Sequence, residues 1–213
     1  MPVKFQEEDA MYYRKPFFLL SVVLTLGLAG CASYQYGRVD VRLIDQYSLR
    51  TIAGGISLAV EPYDTTEKAK EGFYEDVTTE DFYPVQLIFQ NDSNDRIIVL
   101  RETVELVDAG QNVFRPVRST IMFNAFEKNK MAYALLGFGI FSYMSAEEAN
   151  RKMETDWREK EIPDNLIVSS GRKANGFVYF KLPKGQKIKG SKLRLEVEAL
   201  ESKKKIPLEL ILS

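Results

Sequence analysis

Histidine is absent from the 213 residues and cysteine occurs once. The first absence removes the side chain best suited to proton transfer near neutral pH, and with it the commonest metal ligand. The second excludes an internal disulfide framework. Most hydrolase triads and zinc sites fall with them, leaving only carboxylate, Lys, Tyr or Ser chemistry. Surplus positive charge is missing too: 29 Lys and Arg face 30 Asp and Glu, a net charge of -1. That argues against nucleic acid as a partner, because neutralising phosphates requires an excess of cations. Nor is there a predominantly apolar run of the about 20 residues that a membrane-crossing helix needs. Apolar residues make up 45% of the chain and charged residues 28%, which excludes both a disordered chain and a polytopic membrane protein.

The most informative feature is at the N-terminus. Arg14 and Lys15 form a short basic region, residues 17–28 carry no charge, and the stretch closes on Leu28-Ala29-Gly30-Cys31. Basic start, short apolar run and small residues before a cut are the pattern of a secretory signal peptide. The closing tetrapeptide resembles the lipobox of bacterial lipoproteins residue for residue. That resemblance implies an S-diacylglycerol thioether on Cys31, cleavage between Gly30 and Cys31 by the lipoprotein signal peptidase, and N-acylation of the new terminus by a fatty acid such as palmitate. Small side chains at positions 29 and 30 let an extended backbone enter the peptidase cleft. Position 32 is Ala rather than Asp, which under the sorting rule of enteric lipoproteins implies the outer membrane, with the periplasmic or the surface face left open. Each buried acyl methylene contributes about 0.8 kcal/mol, so two or three chains anchor firmly without a transmembrane helix. Glu7, Glu8 and Asp9 are unusual ahead of a signal peptide, and make Met11 rather than Met1 the expected start.

Residues 1–30 are therefore expected to be removed. Residues 31–51 read as a lipidated tether, with Tyr34, Tyr36 and Tyr47 among polar residues and an alternation of Val39, Val41 and Leu43 suited to an added edge strand. Twenty extended residues reach at most about 70 Å. From residue 52 the apolar period becomes two. Ile56, Leu58 and Val60 alternate, then Val85, Leu87 and Phe89, then a long strand over 97–107 and a short one over 113–117 with Pro116 near an edge. The polar, acidic stretch 64–82 reads as a long loop with at most one helical turn. Residues 91–95 and 183–185 read as hairpin turns. After residue 163 the alternation resumes: Val178, Phe180 and Leu182; Leu193, Leu195, Val197 and Ala199; Ile206, Leu208, Leu210 and Leu212. Short strands at regular spacing predict a mainly β, antiparallel sandwich over 52–213. Residues 52–117 and 164–213 resemble the immunoglobulin-like sandwiches of many bacterial lipoproteins, which implies a fold and no activity.

Residues 118–163 interrupt this pattern. Residues 131–146 contain no charge, and Ala132, Leu135, Leu136, Gly139, Ile140 and Tyr143 fall at helical spacing. At 1.5 Å per residue such a limb spans about 24 Å, too short to cross a bilayer comfortably. A second helix is expected to start at the Ser145/Glu148 capping box, to bury Ala149, Met153 and Trp157, and to end at Pro163. Glu147 with Arg151, Glu148 with Lys152, Glu154 with Arg158 and Asp156 with Lys160 stand as i,i+4 pairs on it. The insertion thus reads as a helical hairpin. Leu135, Leu136, Phe138, Ile140 and Phe141 are its candidate membrane or partner contacts, unless the apolar limb simply packs on the sandwich.

Charge divides along the chain, with eleven Lys or Arg against four Glu from residue 171 onward, and fifteen against 23 acids over 31–170. Lys181, Lys184, Lys187, Lys189, Lys192 and Lys203, Lys204, Lys205 would form a cationic patch if their turns share one end of the sandwich; as solvated turn lysines they would only guard edges. Residues 92–96 begin like a calcium loop but place Arg96 at the third ligand position. Glu75, Asp76, Glu80 and Asp81 could pair for acid–base work only if something held their separation. Neither a phosphate loop nor a nucleophile elbow is present. The expectation is a non-catalytic outer-membrane lipoprotein with no cofactor and no metal. Its partners would be the membrane, through the lipid, and an envelope protein, through the insertion. The alternative is a protein that binds or transfers lipid or glycan.

Overall fold

The computed structural model describes residues 33–127 and 139–212, with side chains from residue 144 onward in the second stretch. The chain divides into two compact units, Tyr34–Glu127 with Arg151–Ser213, and Met1–Ser33 with Lys128–Asn150. Of the latter, Ser33 and the helical residues 139–150 are described.

The larger unit is mainly β. Strands β1 (Leu49–Ala53), β2 (Ile56–Pro62), β3 (Phe82–Asn91) and β8 (Arg172–Lys181) form one antiparallel sheet in that order. The other sheet is centred on β9 (Lys192–Ala199). β10 (Lys205–Ile211) flanks it on one side, and β4 (Ile97–Leu100) and β5 (Glu105–Val107) flank it on the other; β7 (Asn165–Val168) and β6 (Val113–Phe114) lie beyond β4 and β5. A single core joins them: Ile56, Leu58, Val60, Val85, Leu87, Phe89, Val178 and Phe180 from the first sheet, with Val99, Leu193, Leu195, Val197 and Leu208 from the second. Two antiparallel sheets around one core are consistent with a β-sandwich. The β1–β2 hairpin turns on Gly54 and Gly55, both at positive φ (58° and 77°), as a two-residue hairpin loop requires. Pro207 sits on β10, which pairs only with β9, where its missing N–H costs no ladder bond.

Several expectations needed correction. The stretch 64–82 is not a loop with one turn: helix α1 (Thr66–Phe73) and a 3-10 turn (Val77–Glu80) occupy it. The Thr65 hydroxyl accepts the Lys68 N–H to start α1, and Ala69 and Phe73, four residues apart, are fully buried. The long strand over 97–107 is broken by a 3-10 turn at Arg101–Thr103; both pieces still pair with β9, Val99 opposite Val197 and Glu105 opposite Arg194. Residues 92–96 and 182–191 are not hairpin turns, because each carries the chain from one sheet to the other. Strands and turn residues are visible in the sequence, but which sheet the next strand joins is settled by burial on both faces. Helix α3 (Gly139–Lys160) runs straight through Ser145, so the capping box there is not a helix start; the residues before it extend the helix, and propagation costs less than a fresh nucleus. Helix α2 (Ser119–Phe126) precedes it.

The segment expected to be a tether is fastened to the body at several points. Strand β1 begins at Leu49, and Tyr34 and Tyr47 are buried, at 5% and 1% exposed. Tyr47 packs with Ala59 and Ile88 on the outer face of the first sheet. More of that face is covered by Tyr63 and Phe73, whose rings meet Phe177 and Tyr179 edge-on at 5.0–5.9 Å between centroids, and by Trp157, whose ring lies 6.2 Å from that of Phe73.

Candidate functional site

Two polar assemblies fix the segments that frame the insertion and the N-terminal stretch. The first lies where residues 34–38, the end of α1 and the last turns of α3 meet. Gly37 has no room for a side chain: a Cβ there would lie 2.0 Å from the Gly72 carbonyl oxygen. Two glycines thus bring two backbones together closely enough for one ammonium group to hold both. Lys160 Nζ donates to Gly37 O (3.0 Å), Gly72 O (2.7 Å) and Asp156 Oδ2 (2.7 Å), which uses its full set of three donors. The Tyr34 hydroxyl donates to Asp156 Oδ2 at 2.6 Å and lies 3.1 Å from Phe73 O. Trp157 Nε1 donates to Phe73 O at 3.3 Å, and the Tyr179 hydroxyl to Trp157 O at 2.7 Å. The spacing of Asp156 and Lys160 suggests a solvated helix pair; here the two side chains are 6% and 14% exposed. Burial pulls the Lys160 pKa below its usual value although the adjacent carboxylate opposes it. Burial, then the bond to Asp156, pushes the Tyr34 phenol well up, and burial with nearby carboxylates lifts Tyr63 to about 12. Both phenols are pushed further from neutrality, which suits structural locking rather than proton transfer.

The second assembly sits at the base of the insertion. Glu161 Oε2 accepts the Ser119 N–H (3.1 Å) and the Ser119 hydroxyl (2.6 Å). It thereby caps α2, whose N-cap residue Arg118 provides no side-chain cap. Arg101 lies 3.5 Å from Glu161 and 3.1 Å from Asp164, and Arg118 3.7 Å and 2.5 Å from the same two acids. The bonds from Arg118 and Arg101 hold the Asp164 carboxyl below its usual range. The start of α2 and the end of α3 are thus bound to each other and to the β4–β5 break.

A cleft of about 220 Å³ is lined by Arg38, Asp40, Arg42, Glu61, Tyr63, Lys68 and Glu71. Its charges are largely spent internally: Arg42 (2.6 Å) and Lys68 both bind Glu61, and Arg38 binds Asp40 at 3.2 Å. Among the described residues no group of three or more Cys, Asp or Glu is placed to hold a metal ion, and no helix is long and apolar enough to cross a membrane.

Gly30 and Cys31 lie outside the described residues, as do Leu135, Leu136 and Phe138; Ile140 and Phe141 belong to α3, described there by its backbone. The four acids of 75–81 do not form a paired site. Asp76 caps the 3-10 turn, and the Thr78 and Thr66 bonds outweigh partial burial to keep its carboxyl below the usual value. Asp81 accepts the Gly185 N–H. The lysine turns do not share an end: residues 182–191 precede β9 and residues 200–204 follow it. Lys192, Lys203 and Lys205 pair with Glu209, Glu198 and Glu196, while Lys181 and Lys187 lie over the Phe82 and Tyr83 rings. Sequence reasoning missed Tyr34, Lys160 as a buried cation, and Glu161 as a cap; the Gly37 and Gly72 contact left no local signal.

No protein-family model matches the chain, and neither does any curated protein. Among solved structures it is similar to the yjhA protein from Bacillus subtilis, at 17% identity and a TM-score of 0.36, over 70% of this chain and 78% of that one. It is also similar to a putative lipoprotein (ycdA) from the same organism, at 9% identity and a TM-score of 0.37, over 76% of this chain and 38% of that one. Both likenesses are too distant to assign this chain a family.

Proposed function

We propose that the chain is the precursor of a lipid-anchored cell-envelope protein of the outer membrane, whose immunoglobulin-like body is a non-catalytic binding or scaffolding module. The observation that carries this reading is the Leu28-Ala29-Gly30-Cys31 motif at the end of a short apolar run preceded by Arg14 and Lys15. The lipid would attach to the Cys31 sulfur. The insertion would meet an envelope protein through Leu135, Leu136, Phe138, Ile140 and Phe141, in a stretch with no charge. In support, the Arg101, Arg118, Glu161 and Asp164 network ties together the start of α2 and the end of α3, the two points at which the insertion leaves the body.

Cys31→Ser tests the anchor. The variant is expected to lack the diacylglycerol mass, retain its signal peptide and leave the membrane fraction. Unchanged maturation and sedimentation would defeat the reading. Deleting the whole insertion is unsuitable, since Met153 and Trp157 are core residues. Leu135→Asp with Phe138→Asp keeps them, and is expected to abolish site-specific cross-linking from position 136 to an envelope protein.

A further inference from the structure

Lipid-anchored bodies commonly stand off the bilayer on a flexible linker, but here the linker is nearly absent. Tyr34 is already buried and bound to Asp156, and Gly37 is already held by Lys160. Only Ala32 and Ser33 separate Cys31 from Tyr34. Three Cα–Cα steps cannot exceed about 11 Å, comparable to the about 5–8 Å headgroup layer of one leaflet. Strand β3 alone, ten residues long, extends about 33 Å. A body that size on so short a leash cannot tumble freely, and one face must lie against the lipid.

The surface beside that leash has the composition of an interfacial strip. Nine large hydrophobic residues are exposed among the described residues, and three of them, Tyr36 (57%), Val41 (51%) and Leu43 (56%), fall within the first ten residues after Tyr34 is reached. Arg38 and Arg42, with side chains 79% and 46% exposed, stand between them. Tyrosine rings favour the membrane–water boundary, and arginine stems can lie along apolar surface with the guanidinium in the polar layer. The Arg38–Asp40 pair leaves the strip without strong net charge, so its partner is the phospholipid interface as such rather than anionic lipid. Resting on the proposed Cys31 anchor, we infer that residues 36–43 are the membrane-facing surface of the body, lying in the headgroup layer of the bilayer that holds the lipid.

The test uses the full lipidated protein in vesicles of phosphatidylethanolamine and phosphatidylglycerol containing no other protein. A nitroxide label is placed at Tyr36→Cys, Leu43→Cys or Lys204→Cys, each the sole free thiol once Cys31 is lipidated. Lys204 lies in the β9–β10 turn, which Arg96–Glu201 and Asp95–Ser202 contacts bind to the Asn91 end of β3. Tyr34 instead bonds to Phe73, whose ring lies 5.9 Å from that of Tyr179, opposite Pro84 and toward the other end of β3. On reconstitution, accessibility to an aqueous nickel chelate is expected to fall several-fold at 36 and 43 and to stay unchanged at 204. Unchanged accessibility at 36 and 43 in a protein that carries the thioether and floats with the vesicles overturns this inference alone. Equal protection at 204 also overturns it, since no particular face would then be selected. A mature protein without the thioether removes the anchor, and with it both readings. Protection in pure lipid identifies the bilayer, rather than a protein, as the partner.

Discussion

The outer faces of the two sheets are built from strands of similar alternation, yet they are opposite environments. On the first sheet, Ala59, Ile88, Phe177 and Tyr179 point away from the shared core and are still at most 1% exposed, because α1, α3 and the segment before β1 cover them. On the second, the corresponding face of β9 carries Arg194, Glu196 and Glu198, crossed by pairs to Glu105, Lys205 and Lys203. Where it is covered, one face is dry, aromatic and stitched by a buried ammonium; the other is wet and held by a ladder of ion pairs. Residues 34–47 pack on the dry side, whereas the base of the insertion is tied to the break between β4 and β5 in the second sheet. Ionic contacts of similar length therefore differ greatly in consequence, depending on which face they occupy.

The largest expected effect is at the dry face. Asp156→Ala leaves Lys160 in its buried position without a carboxylate and leaves the Tyr34 hydroxyl only the Phe73 carbonyl. Removing one partner of a buried pair costs about 3–5 kcal/mol, and urea unfolding should show it as a lowered midpoint. Limited proteolysis should also open the chain between residues 33 and 38. If the cost comes from an uncompensated cation, adding Lys160→Met to Asp156→Ala should recover much of it. A double variant no more stable than the single one would show that the contacts to Gly37 and Gly72 are the main contribution.

An intermediate effect is expected where the dry side meets the insertion. Glu161→Ala uncaps α2 and removes one of the two carboxylates beside Arg101, a side chain only 13% exposed. Leaving buried donors unsatisfied costs about 1–3 kcal/mol. The specific readout is amide exchange, which should accelerate over residues 119–126 more than over β9. Uniform acceleration across the body would mean that Glu161 supports the sandwich generally and not the insertion.

The contrast between the faces also explains what the sequence could reveal. The wet sheet was legible: Leu193, Leu195, Val197 and Ala199 alternate with charge because one face meets water, and the period survives in the residue order. The dry side was not. In β3 nearly every residue is buried, so alternation disappears and only Val85, Leu87 and Phe89 announce a strand. Helix α1 presents Ala69 and Phe73 among Glu and Lys, too few apolar residues to outweigh a polar composition, yet those two suffice to fasten it. An i,i+4 Asp–Lys pair looks the same in sequence whether solvated or buried; only the Gly37 and Gly72 carbonyls, contributed from residues far from it in the chain, turn Asp156 and Lys160 into a lock. The anchoring of Tyr34 was illegible for the same reason, since it gains its partner from residue 156 and not from its neighbours.

The smallest effect belongs to the wet face and gives the comparison its lower end. Glu105 lies 2.7 Å from Arg194 and 3.3 Å from Arg115. Partial burial raises its pKa, but the two guanidinium groups more than offset this and hold it below the ordinary 4.5. A depressed carboxyl pKa means that the unfolded chain binds more protons than the folded one as pH falls below 4.5. The stabilisation is therefore fully present above 4.5 and is lost as pH falls through the folded value. Glu105→Gln should cost about 0.2–1 kcal/mol at neutral pH, shrink further in 1 M salt as screening shortens to about 3 Å, and vanish in acid. Urea midpoints at pH 7 and pH 3, each with and without salt, check this. A loss at Glu105 that matched Asp156→Ala and persisted in salt would mean that the second sheet is not the solvated, weakly coupled surface its ion-pair ladder indicates.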